Sequence, residues 1–218
     1  DVAGIGVQDG TTTSAKVVRS IRTAICQYAP SYQTLILHHD DCTGHATPDG
    51  HFEGADRIDA ILKKLNNSGL STSPLVRLDT SFPRADFIQL KRCHSDEYLR
   101  FLNSLHDDVN SSGKQVSFTP RVQKDIKGFS EPVKEWSDTV FTKGSLAAAL
   151  RAVGGACYAV ENVLSGNCRN AMCVVRPPGH HAGINGLSGN SQSCGFCIFN
   201  TVAIAAMHAL EGCGENSV

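Results

Sequence analysis

The 218-residue chain has no apolar run of about 18 residues, so no segment qualifies as a membrane-spanning helix. It has no basic run either, and 20 Lys and Arg against 21 Asp and Glu leave a formal net charge of −1. Direct binding to nucleic-acid phosphates is therefore not the leading reading. Internal repeats and low-complexity tracts are lacking. With 41% hydrophobic and 19% charged residues, the composition excludes a disordered tail and a coiled coil. The chain opens at Asp1 and not at a methionine, so it does not speak to a leader segment.

What is there fits one large domain or two small ones. A chain this long buries roughly 70% of its unfolded surface and needs no disulfide or metal staple. Its 9 cysteines are an odd number and too dilute for a disulfide scaffold. Several occupy apolar helical positions, where Cys acts as a small hydrophobe, so a reduced, intracellular setting is expected. Charge thins out toward the end: from Val174 to Val218 only Arg176, Glu211 and Glu215 are charged. A segment so poor in charge is expected to be buried or to line a cleft.

Periodicity predicts helices over Ala15–Tyr28, Glu53–Asn66, from Ser95, over Ser145–Leu164, and from Ile198 toward Gly212. Asn110–Gly113 reads as a loop, Gln115–Thr119 as a strand and Pro120–Asp138 as mostly irregular. Gly154-Gly155 in mid-helix costs about 1 kcal/mol per glycine, which close helix-to-sheet packing would explain. Thr34–Leu37 and Ala171–Val175 are compact apolar runs. Such strands alternating with helices predict an α/β fold with a parallel sheet covered on both faces.

Three stretches carry groups suited to chemistry. Arg176-Pro177-Pro178-Gly179-His180-His181 follows the Ala171–Val175 strand directly. Two prolines force the chain out of the sheet, and a forced turn can bring neighbouring imidazoles to one cleft. Ligand sites of open parallel sheets lie beyond the strands' carboxyl ends, and imidazole titrates near neutral pH. The plain alternative is two loop histidines, one exposed and one bonded to backbone. Ala182–Gly195 then reads as a long mobile loop ending in Cys194-Gly195-Phe196-Cys197. With no second CxxC in the chain, one helix-start and one loop cysteine is preferred to a redox dithiol or half a zinc site. His38-His39-Asp40-Asp41-Cys42, with His45 and His51 beyond, matches no closed zinc spacing and reads first as a polar post-strand loop. Asp138 reads as a turn or cap carboxylate, and Arg57 as a solvated residue near a helix start.

Taken together, these motifs resemble the core of the zinc-dependent histone deacetylases. The resemblance rests on Arg176-Pro-Pro-Gly-His-His-Ala182, Gly195-Phe196-Cys197-Ile198-Phe199-Asn200 and Val202–Ala206. His39–Cys42, Glu53 with Arg57-Ile58, His94–Tyr98 and Asp138-Thr139 extend it over most of the chain. The Arg-Pro-Pro-Gly form is closer to the class II branch. The resemblance implies a three-layer α/β/α arginase–deacetylase fold and hydrolysis of acetyl-lysine amides by a zinc-activated water. It implies His181 as general base and proton donor, with His180 tuning the charge beside it. Phe196 would wall the tunnel for the lysine stem, and the Gly195 carbonyl would accept the substrate amide N–H. Asp138 would bind substrate backbone at the rim, and Arg57 would lie along the cavity by which acetate leaves.

The departures carry further expectations. The family's zinc ligands and its oxyanion tyrosine have no match here, so no metal ligand is assigned within this chain. Residues 1–218 are expected to be the N-terminal portion of one catalytic domain, inactive alone, with the zinc ligands beyond Val218. The loop from His181 to Gly195 is longer than usual in the family, and Phe52 stands where a proline is common. Implied partners are acetylated histone tails or other acetyl-lysine proteins and corepressor complexes, in nucleus or cytoplasm, without nucleic acid or membrane. Three other readings stay open: an acetylpolyamine or small-amide amidohydrolase, a non-catalytic scaffold, and a thiol redox role for Cys194 and Cys197.

Overall fold

A computed structural model describes residues 13–28, 30–118, 137–188, 191 and 193–214. Its centre is a parallel sheet in the order β2-β1-β5. Strand β1 spans Thr34–Leu37, β2 spans Val76–Asp79 and β5 spans Asn170–Cys173. Ile36 stands in register with Leu78 on one side and Met172 on the other. Helices cover the two faces because side chains alternate along each strand. Leu35 and Leu37 pack toward Ala159 of helix α5 (Ser145–Leu164), with Ala171, Cys173 and Phe82. Ile36 and Val174 pack toward Ile58, Ile61, Leu62 and Leu65 of α2 (Asp56–Asn67). The arrangement is three-layered, as expected.

The cover is less complete than the apolar strands suggested. Leu78 and Met172 remain 40% and 45% exposed, although Val76 of β2 joins Ile36 in the cluster under α2. Strand β5 ends at Cys173, although Val174 N–H still reaches the Leu37 carbonyl at 2.7 Å.

A larger core joins α4 (Asp96–Ser112) to α5 and the short α6 (Thr201–Met207). Tyr98 is fully buried and donates its hydroxyl to the Ile198 carbonyl at 2.6 Å. Ser95 caps α4 by accepting from Tyr98 N–H, and Asp96 and Glu97 occupy its first turn. The antiparallel pair β3 (Val116–Ser117) and β4 (Val140–Phe141) closes this core, with Phe118 stacked on Phe141 at 5.8 Å.

Several boundaries differ from the sequence reading. Helix α4 runs through the expected loop at Asn110 and ends only at Gly113. Helix α2 begins at Asp56, which leaves Glu53 in the preceding loop and buried. The Gln115–Thr119 strand shortens to Val116–Ser117; Thr119 and most of Pro120–Asp138 lie outside the described residues. Strands β2 and β4 and helix α3 (Phe87–Lys91) were not legible, being short and half-buried. Helix α1 spans Thr13–Tyr28, close to the expected bounds. The last helix starts at Thr201, beyond Ile198, and finishes as a π-turn over His208–Gly212.

The mid-helix glycines have a different cause from the one expected. A Cβ on Gly154 would lie 2.1 Å from the Pro83 carbonyl oxygen, and one on Gly155 would lie 2.8 Å from the Phe82 ring. Both therefore admit the segment after β2, not the sheet itself.

Candidate active site

The site grows from the carboxyl end of β5. Val174 and Val175 lead into Arg176, whose side chain is 1% exposed despite its charge. Its Nε donates to Glu53 Oε2 at 3.1 Å, and its Nη1 donates to the carbonyls of Cys42 and His45 at 3.1 and 2.6 Å. Its Nη2 donates to the Glu53 carbonyl. A buried guanidinium is tolerable only when paired and hydrogen-bonded in this way. The result ties the loop after β1 to the loop after β5.

His180 and His181 follow, both exposed, with ring centroids 4.3 Å apart at 49°. Gly179 is pressed against Thr201, where a Cβ would sit 2.2 Å from the hydroxyl oxygen. The His180 N–H meets Cys197 Sγ at 3.4 Å. His180 also borders an apolar cavity of about 470 Å³ with Pro177, Pro178, Thr201 and Val202. His181 faces Gly195, where a Cβ would lie 2.6 Å from its Cδ2. Only glycine allows that approach, and Gly195 also has φ +54°.

Phe196 continues the left-handed turn with φ 65°, unusual for a bulky residue. Hydrogen bonds hold it there. Its N–H donates to Thr139 Oγ1 at 3.0 Å, while Gly195 N–H donates to Ser193 Oγ at 2.8 Å. Ser193 Oγ and Thr139 Oγ1 both donate to Asp138 Oδ1. The half-buried Asp138 is thus fixed by neighbours and is not a free turn carboxylate.

The structure brings His180, His181, Gly195, Phe196 and Asp138 into one chain of contacts. Arg57 is separate. It is exposed, pairs with Glu53 Oε1, and lines a cavity of about 190 Å³ with Ile58, Ile61, Met172 and Arg176. Glu53 is the link, because its two carboxylate oxygens take Arg57 and Arg176 respectively. Sequence reasoning named Glu53, His51 and Thr139 without giving them a role in the site, and did not single out Ser193. One signal existed: a lone arginine in a charge-poor segment needs a buried acid.

The post-β1 loop is structural. His39 Nδ1 accepts from Asp41 N–H at 3.0 Å, and Asp41 takes Arg84 and Arg151, each at 2.8 Å. The Arg84 hydrogen bond holds the Asp41 carboxyl well below the usual carboxylate range, against the effect of its burial. His45 Nδ1 meets Ser145 Oγ at 2.7 Å, and burial followed by the Arg176 charge pushes its pKa down to about 3. His94 Nε2 accepts from Asn200 N–H at 3.0 Å, and burial pushes it down to about 4. Among the described residues, no three His, Cys, Asp or Glu side chains gather as ligands for a metal ion.

Cys194 and Cys197 are both fully buried. Their thiols point to the carbonyls of Gly186 and Gly195, each at 3.3 Å. Burial pushes the Cys194 thiol up to about 12 and raises that of Cys197. The thiols of Cys194 and Cys197 are free, as are those of Cys42, Cys93, Cys157, Cys168, Cys173 and Cys213.

Comparison with known proteins identifies the family. Residues 51–218 match the family model described as the Histone deacetylase domain. Type-2 histone deacetylase 2 of Dictyostelium discoideum is 32% identical over 197 residues, covering 86% of this chain and 11% of that protein. Polyamine deacetylase HDAC10 of Homo sapiens is 30% identical over 189 residues, covering 85% of this chain and 24% of that protein. The chain therefore spans less than a quarter of the length of either relative. The crystal structure of the HDA15 HD domain superposes with a TM-score of 0.63 at 21% identity, over 84% of this chain and 44% of that one. That likeness establishes the α/β arginase–deacetylase fold. With most of its length under the family model, and the paired histidines inside the match, the chain belongs to the histone deacetylase family.

Proposed function

We propose that residues 1–218 are the N-terminal portion of a single deacetylase catalytic domain whose complete form hydrolyses acetyl-lysine amides in histones or other proteins. The observation that carries this reading is the contact between His181 and Gly195, which sets a histidine pair against a turn ending in an aromatic residue. In the reaction, His181 takes a proton from the attacking water and returns it to the leaving amine. His180, packed on its ring, tunes the charge that develops there. The Gly195 carbonyl accepts the scissile amide N–H, Phe196 flanks the lysine stem, and Asp138 accepts substrate backbone N–H groups. Arg57 borders the route by which acetate departs. The proposal places the ligands of the family's zinc C-terminal to Val218, where the metal would supply Lewis-acid activation.

The test is His181→Ala in the full-length product, assayed on an acetyl-lysine peptide. Turnover should vanish while the unfolding midpoint stays near that of the parent; wild-type turnover in the variant would remove His181 from this role. Residues 1–218 alone should turn over nothing.

A second reading has support from the polyamine deacetylase relatives of mouse and human, each 30% identical. There Asp138 would meet a small cation in place of a peptide backbone. Comparing acetylspermidine with an acetyl-lysine peptide separates the two.

A further inference from the structure

His51 entered the sequence reading only as part of a polar post-strand loop, yet it touches both rim residues. Its Nδ1 accepts the Glu53 N–H at 3.0 Å. Its Nε2 lies 3.0 Å from the Asp138 carbonyl oxygen, which only accepts, so the ring proton sits on Nε2. Its ring meets that of Phe196 edge to face, with centroids 4.9 Å apart at 77°. We propose that His51 is a positioning residue that fixes the spacing between the rim carboxylate of Asp138 and the ring of Phe196.

The contacts form a closed circuit. His51 donates to the main chain of Asp138. Thr139, the next residue, donates to the Asp138 carboxylate and accepts the Phe196 N–H. The Phe196 ring returns to His51. Each member is therefore held from two sides, and His51 bridges 87 residues of sequence to do it.

The far side of His51 is rigid. Its own loop is clamped by Arg176, which bonds the carbonyls of His45 and Glu53. Thr47 Oγ1 also donates to the Glu53 carbonyl at 3.2 Å. Asp138 and Phe196, by contrast, sit in turns. Phe196 holds a left-handed conformation that its own side chain disfavours, so it depends on outside contacts. A ring anchored to a buried ion pair can set the position of such turns; the turns cannot set it themselves.

This inference rests on the acyl-lysine reading, because only there are Asp138 and Phe196 a rim and a wall. Its test uses the full-length protein with two substrates, an acetyl-lysine peptide and free N-acetyl-lysine amide without flanking residues. His51→Phe keeps a ring against Phe196 and removes the donor. His51→Gln keeps a terminal N–H and removes the ring. In the Phe variant, KM for the peptide should rise about tenfold with kcat little changed, and the minimal substrate should be unaffected. In the Gln variant, peptide KM should be largely restored, while kcat should fall about tenfold on both substrates. Equal losses in both variants on both substrates, in step with a lowered unfolding midpoint, would overturn the proposal; so would no change in either.

An NMR arm is independent of turnover. The His51 imidazole should be the Nε2–H tautomer, and the Thr139 and Phe196 amide resonances should move in His51→Ala. Unmoved resonances overturn the inference. A wild type that turns over neither substrate sinks the acyl-lysine reading, and the NMR result alone then decides whether His51 positions these two turns.

Discussion

Arg176 and Glu53 stand 123 residues apart and meet as a buried ion pair, Nε to Oε2 at 3.1 Å, with side chains 1% and 7% exposed. This pair fixes the floor of the site. It binds the post-β5 loop, which carries the histidines, to the post-β1 loop, which carries His51 and leads to Arg57. A surface pair would contribute little, but a buried charge left without its partner is expensive.

Glu53→Gln should therefore destabilise the protein by about 3–5 kcal/mol, since Arg176 keeps its charge and loses its counter-ion. Urea unfolding of parent and variant measures this. A loss under about 1 kcal/mol would mean that water reaches the guanidinium and screens it.

Stability should fall on mild acidification. His45 and His94 are buried and neutral, with folded pKa values pushed from about 6.5 down to about 3 and about 4. A depressed folded value means that the unfolded chain binds the proton more readily. Their contribution is thus complete above pH 6.5 and is lost as pH falls toward 3 for His45 and 4 for His94. Each costs up to about 1.4 kcal/mol per pH unit in that window. His45→Asn, which keeps a hydrogen-bonding partner for Ser145, should flatten the slope of unfolding free energy between pH 6.5 and pH 4 by roughly half. An unchanged slope would show that folding does not lower the His45 pKa.

Gly195→Ala should disable the site more than it disturbs the fold. The new methyl must move His181 or the turn, because it would lie 2.6 Å from the ring. A displacement of about 1 Å at a reacting group costs on the order of 100-fold in rate. The left-handed backbone adds about 1–3 kcal/mol of strain. Peptide turnover by the full-length product, alongside thermal unfolding, reads both. Parental kcat would mean that the His181 position is not critical.

Cys194 and Cys197 should resist alkylation at pH 7, being buried and with raised thiol pKa values. Exposed Cys213 should react first, by about tenfold or more. N-ethylmaleimide labelling followed by peptide mass spectrometry gives the order. Rapid, reversible joining of Cys194 to Cys197 would revive a redox role; their present contacts, as donors to backbone carbonyls, favour packing.

Much of this molecule could be read along the chain. The apolar runs at Thr34–Leu37 and Ala171–Val175, and the period of α5, predict the sheet and its main helix, because burial on known faces leaves a local pattern. The Arg-Pro-Pro-Gly-His-His motif and the Gly195-Phe196 turn likewise point to the site, since prolines and glycines act on their own backbone. Strand β2, helix α3 and the last turn of α4 escaped, because half-buried residues carry no clear period. The identity of the groups that hold the site together also escaped. Glu53 takes Arg176 and Arg57, Ser193 and Thr139 hold Asp138, and His51 joins Asp138 to Phe196. Those partnerships depend on which loops fold against each other. Residue types and their spacing determine local conformation and burial; only the tertiary structure decides which buried charge finds which partner.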